Sequence, residues 1–243
     1  MEFEMYSLKH KLSFNTLQNA EWLQAFHQNL NYINSHNANK SNTYQLGITK
    51  FTHLTGDEYA EFILRDKPKY PRPSTPVAPV HLTVETSELP TQWDWSKQGA
   101  VTPVKNQGKC GSCWIFVSTG ALEGAYFVAQ GKLPYKGERE PSSGFYGLSE
   151  QQLAACNYLS GGCKGGGWPE SAFIWAAESK RGVTSESQYP YVADGYTVGT
   201  TYTCITAGVN ADPLTAPIED APFTEVPADS MEAMMSAVCI LAQ

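Results

Sequence analysis

All six cysteines fall between positions 110 and 239, and the first 109 residues contain none. A chain divided in this way reads as two different modules. Spacing alone cannot choose among the possible pairings, but the density suits an oxidising compartment better than the cytosol. Between the halves, residues 66–88 hold prolines at 68, 71, 73, 76 and 79, a composition that favours an extended, solvated connector over a packed element. The predicted organisation is residues 1–65 as one domain, 66–88 as connector, and 89–243 as a second domain. With 243 residues and 42% hydrophobic content, the chain can bury one good core or two small ones.

Several classes are disfavoured at once. No apolar run approaches the roughly 20 residues of a membrane span, so none is expected. The first thirty residues carry Lys9, His10 and Lys11 where a signal peptide would have its apolar stretch, and no targeting segment is read there. A net charge of −7 argues against nucleic acid as a partner, because phosphate neutralisation needs clustered Lys and Arg. The sequon Asn39-Lys40-Ser41 is compatible with secretion.

Periodicity supplies the elements. Leu17, Trp22, Leu23, Phe26, Leu30 and Ile33 recur at three- and four-residue spacing and predict an amphipathic helix over 16–37. Tyr44–Phe51 alternates as a short strand would, and Thr55-Gly-Asp-Glu58 reads as a capping box opening another helix. From Ser112 to Gln130 the only charge is Glu123, which predicts a helix buried on most sides and closed by Gly131 in the left-handed conformation. Residues 134–147 read as a surface loop. Ser149-Glu-Gln-Gln152 supplies a further capping box, and a last helix is expected near Asp229 with Glu232 three residues on.

The chemistry concentrates at Gln107–Phe116, where Cys113 stands at the first turn of that central helix. Unpaired N–H groups and the positive end of the helix dipole stabilise a thiolate there. The same N–H groups can hold an oxyanion, with the Gln107 amide as second donor, and glycines at 108 and 111 admit a substrate backbone. A zinc or redox pair at Cys110 and Cys113 fits less well. Zinc wants a second pair of similar spacing, whereas Cys156 and Cys163 are seven apart with no histidine nearby, and no βαβ pattern frames a thioredoxin-type motif. No metal and no cofactor is expected.

Cys110-Gly-Ser-Cys113-Trp114 resembles the active-site segment of the papain and cathepsin family. Leu89–Trp95 resembles the start of the mature enzymes, Leu148–Leu153 precedes the family's next cysteine, here Cys156, and Tyr189-Pro-Tyr191 matches a further motif. Gly162–Pro169 is similar to the glycine pair that lines the family's substrate groove. The first module is similar to the inhibitory propeptide of cathepsin L-like enzymes. Phe26, Asn29, Ile33 and Asn37 fit the second half of its E-R-F-N-I-N pattern, while Gln18, Trp22, Thr49 and His53 depart from it and from the motif that follows.

The resemblance implies an α+β, papain-like cysteine proteinase fold, here mainly the helical half plus a helical propeptide domain, with most of the β-barrel half missing. It implies Cys113 and Gln107 as catalytic residues. Gly111, Gly166, Gly167, Trp168 and Pro169 would bind substrate, and the disulfides would be Cys110–Cys163 and Cys156–Cys204. Partners would be peptide or protein substrates and the chain's own propeptide, running backwards through the cleft and cut near residues 80–89, in a lysosomal, vacuolar or secreted setting. Ile115 replaces a small alanine and risks overpacking; Cys239 would be a buried free thiol.

The family's histidine and asparagine come roughly 130 to 150 positions after the cysteine, at or beyond Gln243. All five histidines, at 10, 27, 36, 53 and 81, precede Cys113 and read as solvated or cap-forming. A helical half without its barrel would expose an apolar face. The leading expectation is a cysteine endopeptidase zymogen lacking its histidine and asparagine. The alternative is a non-catalytic inhibitor of papain-like peptidases, and a redox or metal-binding role ranks third.

Overall fold

The structure is a computed structural model that describes residues 2–12, 16–62, 70–73, 84–108, 110–133, 147–178, 182–192, 203–205 and 223–240. Residues 134–146 of the expected 134–147 loop, His81 and the side chains of Leu17 and Gln18 lie outside them. The chain divides into two compact units, Met1–Arg65 and Asp66–Gln243.

The first unit is built on α2 (Thr16–Ala38), whose inward stripe centres on the fully buried Phe26. Periodicity did not lead us to expect α1 (Glu2–Lys9), which packs Phe3 and Tyr6 on that ring at centroid separations of 5.4 and 4.8 Å. Two asparagines of α2 hold the return segment. Asn29 Nδ2 donates to the carbonyls of Thr52 and Leu54, both at 2.9 Å. Asn37 donates to the Leu46 carbonyl and accepts from the Leu46 N–H, both at 2.8 Å.

Residues 44–51 therefore form no strand. The side-chain amide of Asn37 takes the place of a strand partner, so the extended segment needs no ladder. Thr55 and Glu58 do form the reciprocal cap of α3 (Gly56–Phe62), with Thr55 N to Glu58 Oε2 at 2.8 Å and Glu58 N to Thr55 Oγ1 at 3.2 Å. His53 departs from the solvated reading. It is buried, its Nδ1 lies 2.8 Å from the Tyr6 hydroxyl, and the Trp22 ring meets it edge-on at 4.5 Å.

In the second unit, α4 (Cys113–Gln130) packs against α5 (Glu150–Cys156) and α7 (Pro169–Glu178). Trp114, Ile115, Leu148, Leu153, Ala172, Trp175 and Val183 form the core. Ile115 is fully buried there, and the helix runs unbroken through it. Gly131 closes α4 at φ 70°, its N–H bonded to the Phe127 carbonyl at 2.8 Å. The expectation of a helix buried on most sides is corrected, because Val117 and Val128 lie exposed on the face that carries Cys113.

At α5 only half the capping box forms. Ser149 Oγ accepts from Gln152 N at 3.0 Å, but the Gln152 side chain accepts from Thr184 N at 2.7 Å instead of returning to the cap. A short α6 (Gly162–Gly165) follows. The last helix, α8 (Met231–Ile240), is capped by Ser230 and not Asp229: Ser230 Oγ accepts from Ala233 N at 3.1 Å, while Asp229 sits at φ 57°.

The connector is not uniformly solvated. Thr86–Glu88 makes a 3-10 turn against α8, and Val84 N donates to Ser236 Oγ at 3.1 Å. Leu148 and Ser185 pair in an isolated antiparallel bridge.

Candidate active site

Cys113 is the first residue of α4, and its thiol is free and exposed. Ser112 precedes it as the helix cap but makes no side-chain bond to the helix. Its hydroxyl lies 2.8 Å from the Tyr191 hydroxyl, which donates to the Gln107 carbonyl at 2.9 Å. The serine therefore donates to the tyrosine, and the first helical N–H groups keep no side-chain acceptor. The phenol ties the loop before Cys110 to the start of the helix, and its ring meets Phe116 edge-on at 5.0 Å. Gln107 Nε2 donates to the Cys110 carbonyl at 2.9 Å; a primary amide has a second N–H to offer.

The glycine run is brought beside this helix start by two links. Cys110 is bonded to Cys163, and Gly111 N donates to the Cys163 carbonyl at 3.2 Å. A Cβ on Gly167 would stand 2.8 Å from both the Trp114 ring and Ser160 Cβ, so only glycine fits. Gly166 takes φ 63°, and its carbonyl accepts from Gly161 N at 2.8 Å. Cys156 is bonded to Cys204, while Cys239 is free and half-buried in α8.

Beyond the glycines, the Trp168 indole N–H donates to the Tyr70 carbonyl at 3.0 Å, and the Arg72 guanidinium lies 6.0 Å from the Trp168 ring. Arg72 Nε donates to Glu170 Oε1 at 2.8 Å. Connector residues 70–73 thus lie along Trp168, Pro169 and Glu170. Cys113, Gln107, Gly111, Gly166 and Gly167 gather around the start of α4, and the Trp168 indole meets the connector.

Behind the helix start lies a charged network that sequence reading missed. Lys105 Nζ reaches Glu150 Oε1 at 2.6 Å and Glu123 Oε1 at 3.2 Å. Burial works against the charge on Lys105, but the two carboxylates outweigh it and hold the ammonium above its ordinary range. Burial pushes the Glu123 carboxyl up, opposed by Lys105, by the Leu148 N–H at 2.8 Å and by the Thr102 hydroxyl at 2.7 Å. Glu186 accepts from Tyr191 N at 2.6 Å, and burial, with Glu150 adding repulsion, pushes it up to about 7. The available signal was Glu123 itself, a lone charge in an otherwise uncharged helix. For Tyr191 it was the Tyr-Pro-Tyr motif, noted without a role. The described residues contain no group of three or more side chains suited to a metal ion, and no described helix is long and apolar enough to cross a membrane.

Residues 89–241 match the family model described as papain family cysteine protease, and residues 3–59 match the cathepsin propeptide inhibitor domain. The chain belongs to the papain family of cysteine proteases and carries the family's propeptide module. It is 37% identical over 192 residues to pro-cathepsin H of Bos taurus, covering 78% of this chain and 52% of that protein. It is 38% identical over 177 residues to digestive cysteine proteinase 1 of Homarus americanus, covering 70% and 49%. Among solved structures, digestive procathepsin L 3 of Tenebrio molitor larval midgut superposes with a TM-score of 0.68 at 26% identity, covering 98% of this chain and 69% of that one. The recombinant stem bromelain precursor gives 0.64 at 32% identity, covering 87% and 61%. The fold is papain-like, and the chain spans about half the length of the curated relatives it matches.

Proposed function

We infer that the protein is the proenzyme of a cysteine endopeptidase in which Cys113 is the nucleophile. The observation that carries the reading is an exposed free thiol at the first residue of an 18-residue helix whose cap serine is turned to Tyr191. The Cys113 thiolate attacks the peptide carbonyl carbon, a C–S bond forms, and the oxygen takes the negative charge. The Cys113 N–H and the free N–H of Gln107 hold that oxyanion. The oxyanion collapses, the C–N bond breaks, and the leaving amine takes a proton from an acid; water then hydrolyses the thioester and returns that proton. In the family that acid is a histidine oriented by an asparagine. Residues 89–241 contain no histidine, so the proton carrier of this reading is not among the matched peptidase residues.

Gly111, Gly166 and Gly167 lie where an extended substrate backbone would bind, flanked by Trp168 and Pro169. The docking of residues 70–73 on Trp168 supports the connector as occupant of the groove in the resting state, as does the likeness to procathepsin structures. Two disulfides support a lysosomal, vacuolar or secreted setting. The test is alkylation by a peptidyl epoxide or iodoacetamide at about pH 5, where an ordinary thiol is inert. Cys113 should label much faster than Cys239, the other free thiol of the chain; equal rates would remove the peptidase reading.

A further inference from the structure

Arg72 occupies a site better built than a surface ion pair requires. Its partner Glu170 has a side chain only 13% exposed, against 58% for Arg72 itself. Arg72 contacts only Oε1 of that carboxylate, and the buried Oε2 has no hydrogen-bond partner. A second carboxylate, Glu225, lies 3.9 Å from Arg72 Nη2, and the Trp168 ring stands at 6.0 Å. Arg72, Glu170 and Glu225 edge a cavity of about 620 Å³ walled by Pro169, Phe173, Phe223 and Val226. Apolar walls suit the methylene stem of a long basic side chain, and paired carboxylates with an aromatic face suit its charged head. A carboxylate left with one oxygen unmet is complementary to a planar fork that donates to both oxygens at once.

We propose that Glu170, Glu225 and Trp168 form a receptor for a basic side chain, that Arg72 of the connector is its resident occupant, and that the same receptor selects an arginine or lysine in peptides laid along residues 166–169. This rests on the reading above that those residues bind substrate. The occupant fills the receptor incompletely, so a basic peptide competes with Arg72 for Glu170, and the connector holds the site against substrates of the class it admits.

The experiment uses the full chain carrying Arg72→Gln, which vacates the receptor at an exposed position. A fluorescent peptide with the connector's own residues 70–73, Tyr-Pro-Arg-Pro, is compared by anisotropy with the same peptide containing citrulline, which keeps the shape and loses the charge. The arginine peptide should bind about tenfold tighter or more, the difference that a charge-assisted bidentate contact makes. It should bind the parent chain more weakly than the Arg72→Gln chain, and Glu170→Gln should abolish the discrimination. Equal affinities, or binding of neither peptide at millimolar concentration, would overturn the proposal whether or not Glu170→Gln folds. Binding needs no catalysis, so the two ideas fail separately: discrimination without selective Cys113 labelling removes the peptidase reading alone, and labelling without discrimination removes the receptor alone.

Discussion

Gly167 and Gly131 are both glycine for physical reasons, and the reasons are opposite. Gly131 needs a left-handed backbone, at φ 70°, yet a Cβ there would meet nothing within 4 Å. Gly167 has no such backbone requirement, but a Cβ would press into the Trp114 ring at 2.8 Å. Gly167→Ala should therefore cost about 1 to 3 kcal/mol by overpacking and change the near-ultraviolet circular dichroism of the displaced indole. Gly131→Ala should cost about 1 to 2 kcal/mol through its backbone with the aromatic spectrum unmoved. Chemical denaturation of the two variants, read with the spectra, separates the mechanisms. An unchanged spectrum in Gly167→Ala would mean that the tryptophan does not hold the glycine segment in place. Ser112 teaches the same lesson at the nucleophile, since the residue before Cys113 is a good helix cap by type but bonds to Tyr191, 79 positions away.

At the scale of elements, the network behind the site joins the segment before Cys110 to α4 and α5. Lys105 is 11% exposed, and Glu123 and Glu150 are 2% and 1% exposed, so the charges are effectively out of water. Lys105→Met would leave two buried carboxylates without their cation, a loss of about 3 to 5 kcal/mol for a broken buried pair. Thermal unfolding should fall accordingly, and Glu123→Gln in the same chain should restore part of it; a Lys105→Met protein as stable as the parent would show that the carboxylates are satisfied elsewhere. Beyond the lone charge of Glu123 the network was not legible beforehand, because pairings 18 and 45 residues apart leave no local pattern. What was legible was local: the stripe of α2, the reciprocal cap of Thr55 and Glu58, the left-handed Gly131 and the thiol at the first turn of α4. The expected strand failed for a related reason, since alternation in Tyr44–Phe51 says nothing about a side-chain amide on the last turn of α2 taking the partner's place. At Gln152 a tertiary acceptor demand from Thr184 N overrode the local box.

Across the whole molecule, the two units carry titrating groups of opposite sign. In the first, burial holds the His53 imidazole below its ordinary value, the nearby Glu58 charge only partly offsetting it and His10 adding to it. The folded unit therefore binds fewer protons than its unfolded chain once the pH drops below about 6.5, and it loses stability as acid is added. Glu58 acts in the same direction at lower pH: burial opposes its charge, but hydrogen bonds from Thr55 and Trp22 hold its carboxyl down. In the second unit Glu186 is pushed up to about 7, so its neutral form belongs to the folded state. Its contribution is complete below about 4.5 and is lost as the pH rises through about 7, a swing of roughly 3 kcal/mol. Acidification from pH 7 to about 5 should then loosen residues 1–65 while it tightens the core around α4, α5 and α7. Hydrogen exchange at the two pH values, corrected for intrinsic rates, should show protection falling in α1 and α2 and rising in α4 and α5. His53→Gln should flatten the first trend and Glu186→Gln the second, each without altering the other. Parallel pH responses of the two units, or a first unit still acid-sensitive to the same degree without His53, would defeat the argument. One proton concentration thus acts on the two units with contrary effect, because the imidazole of the first is disfavoured in its charged form by burial and the carboxyl of the second in its ionised form.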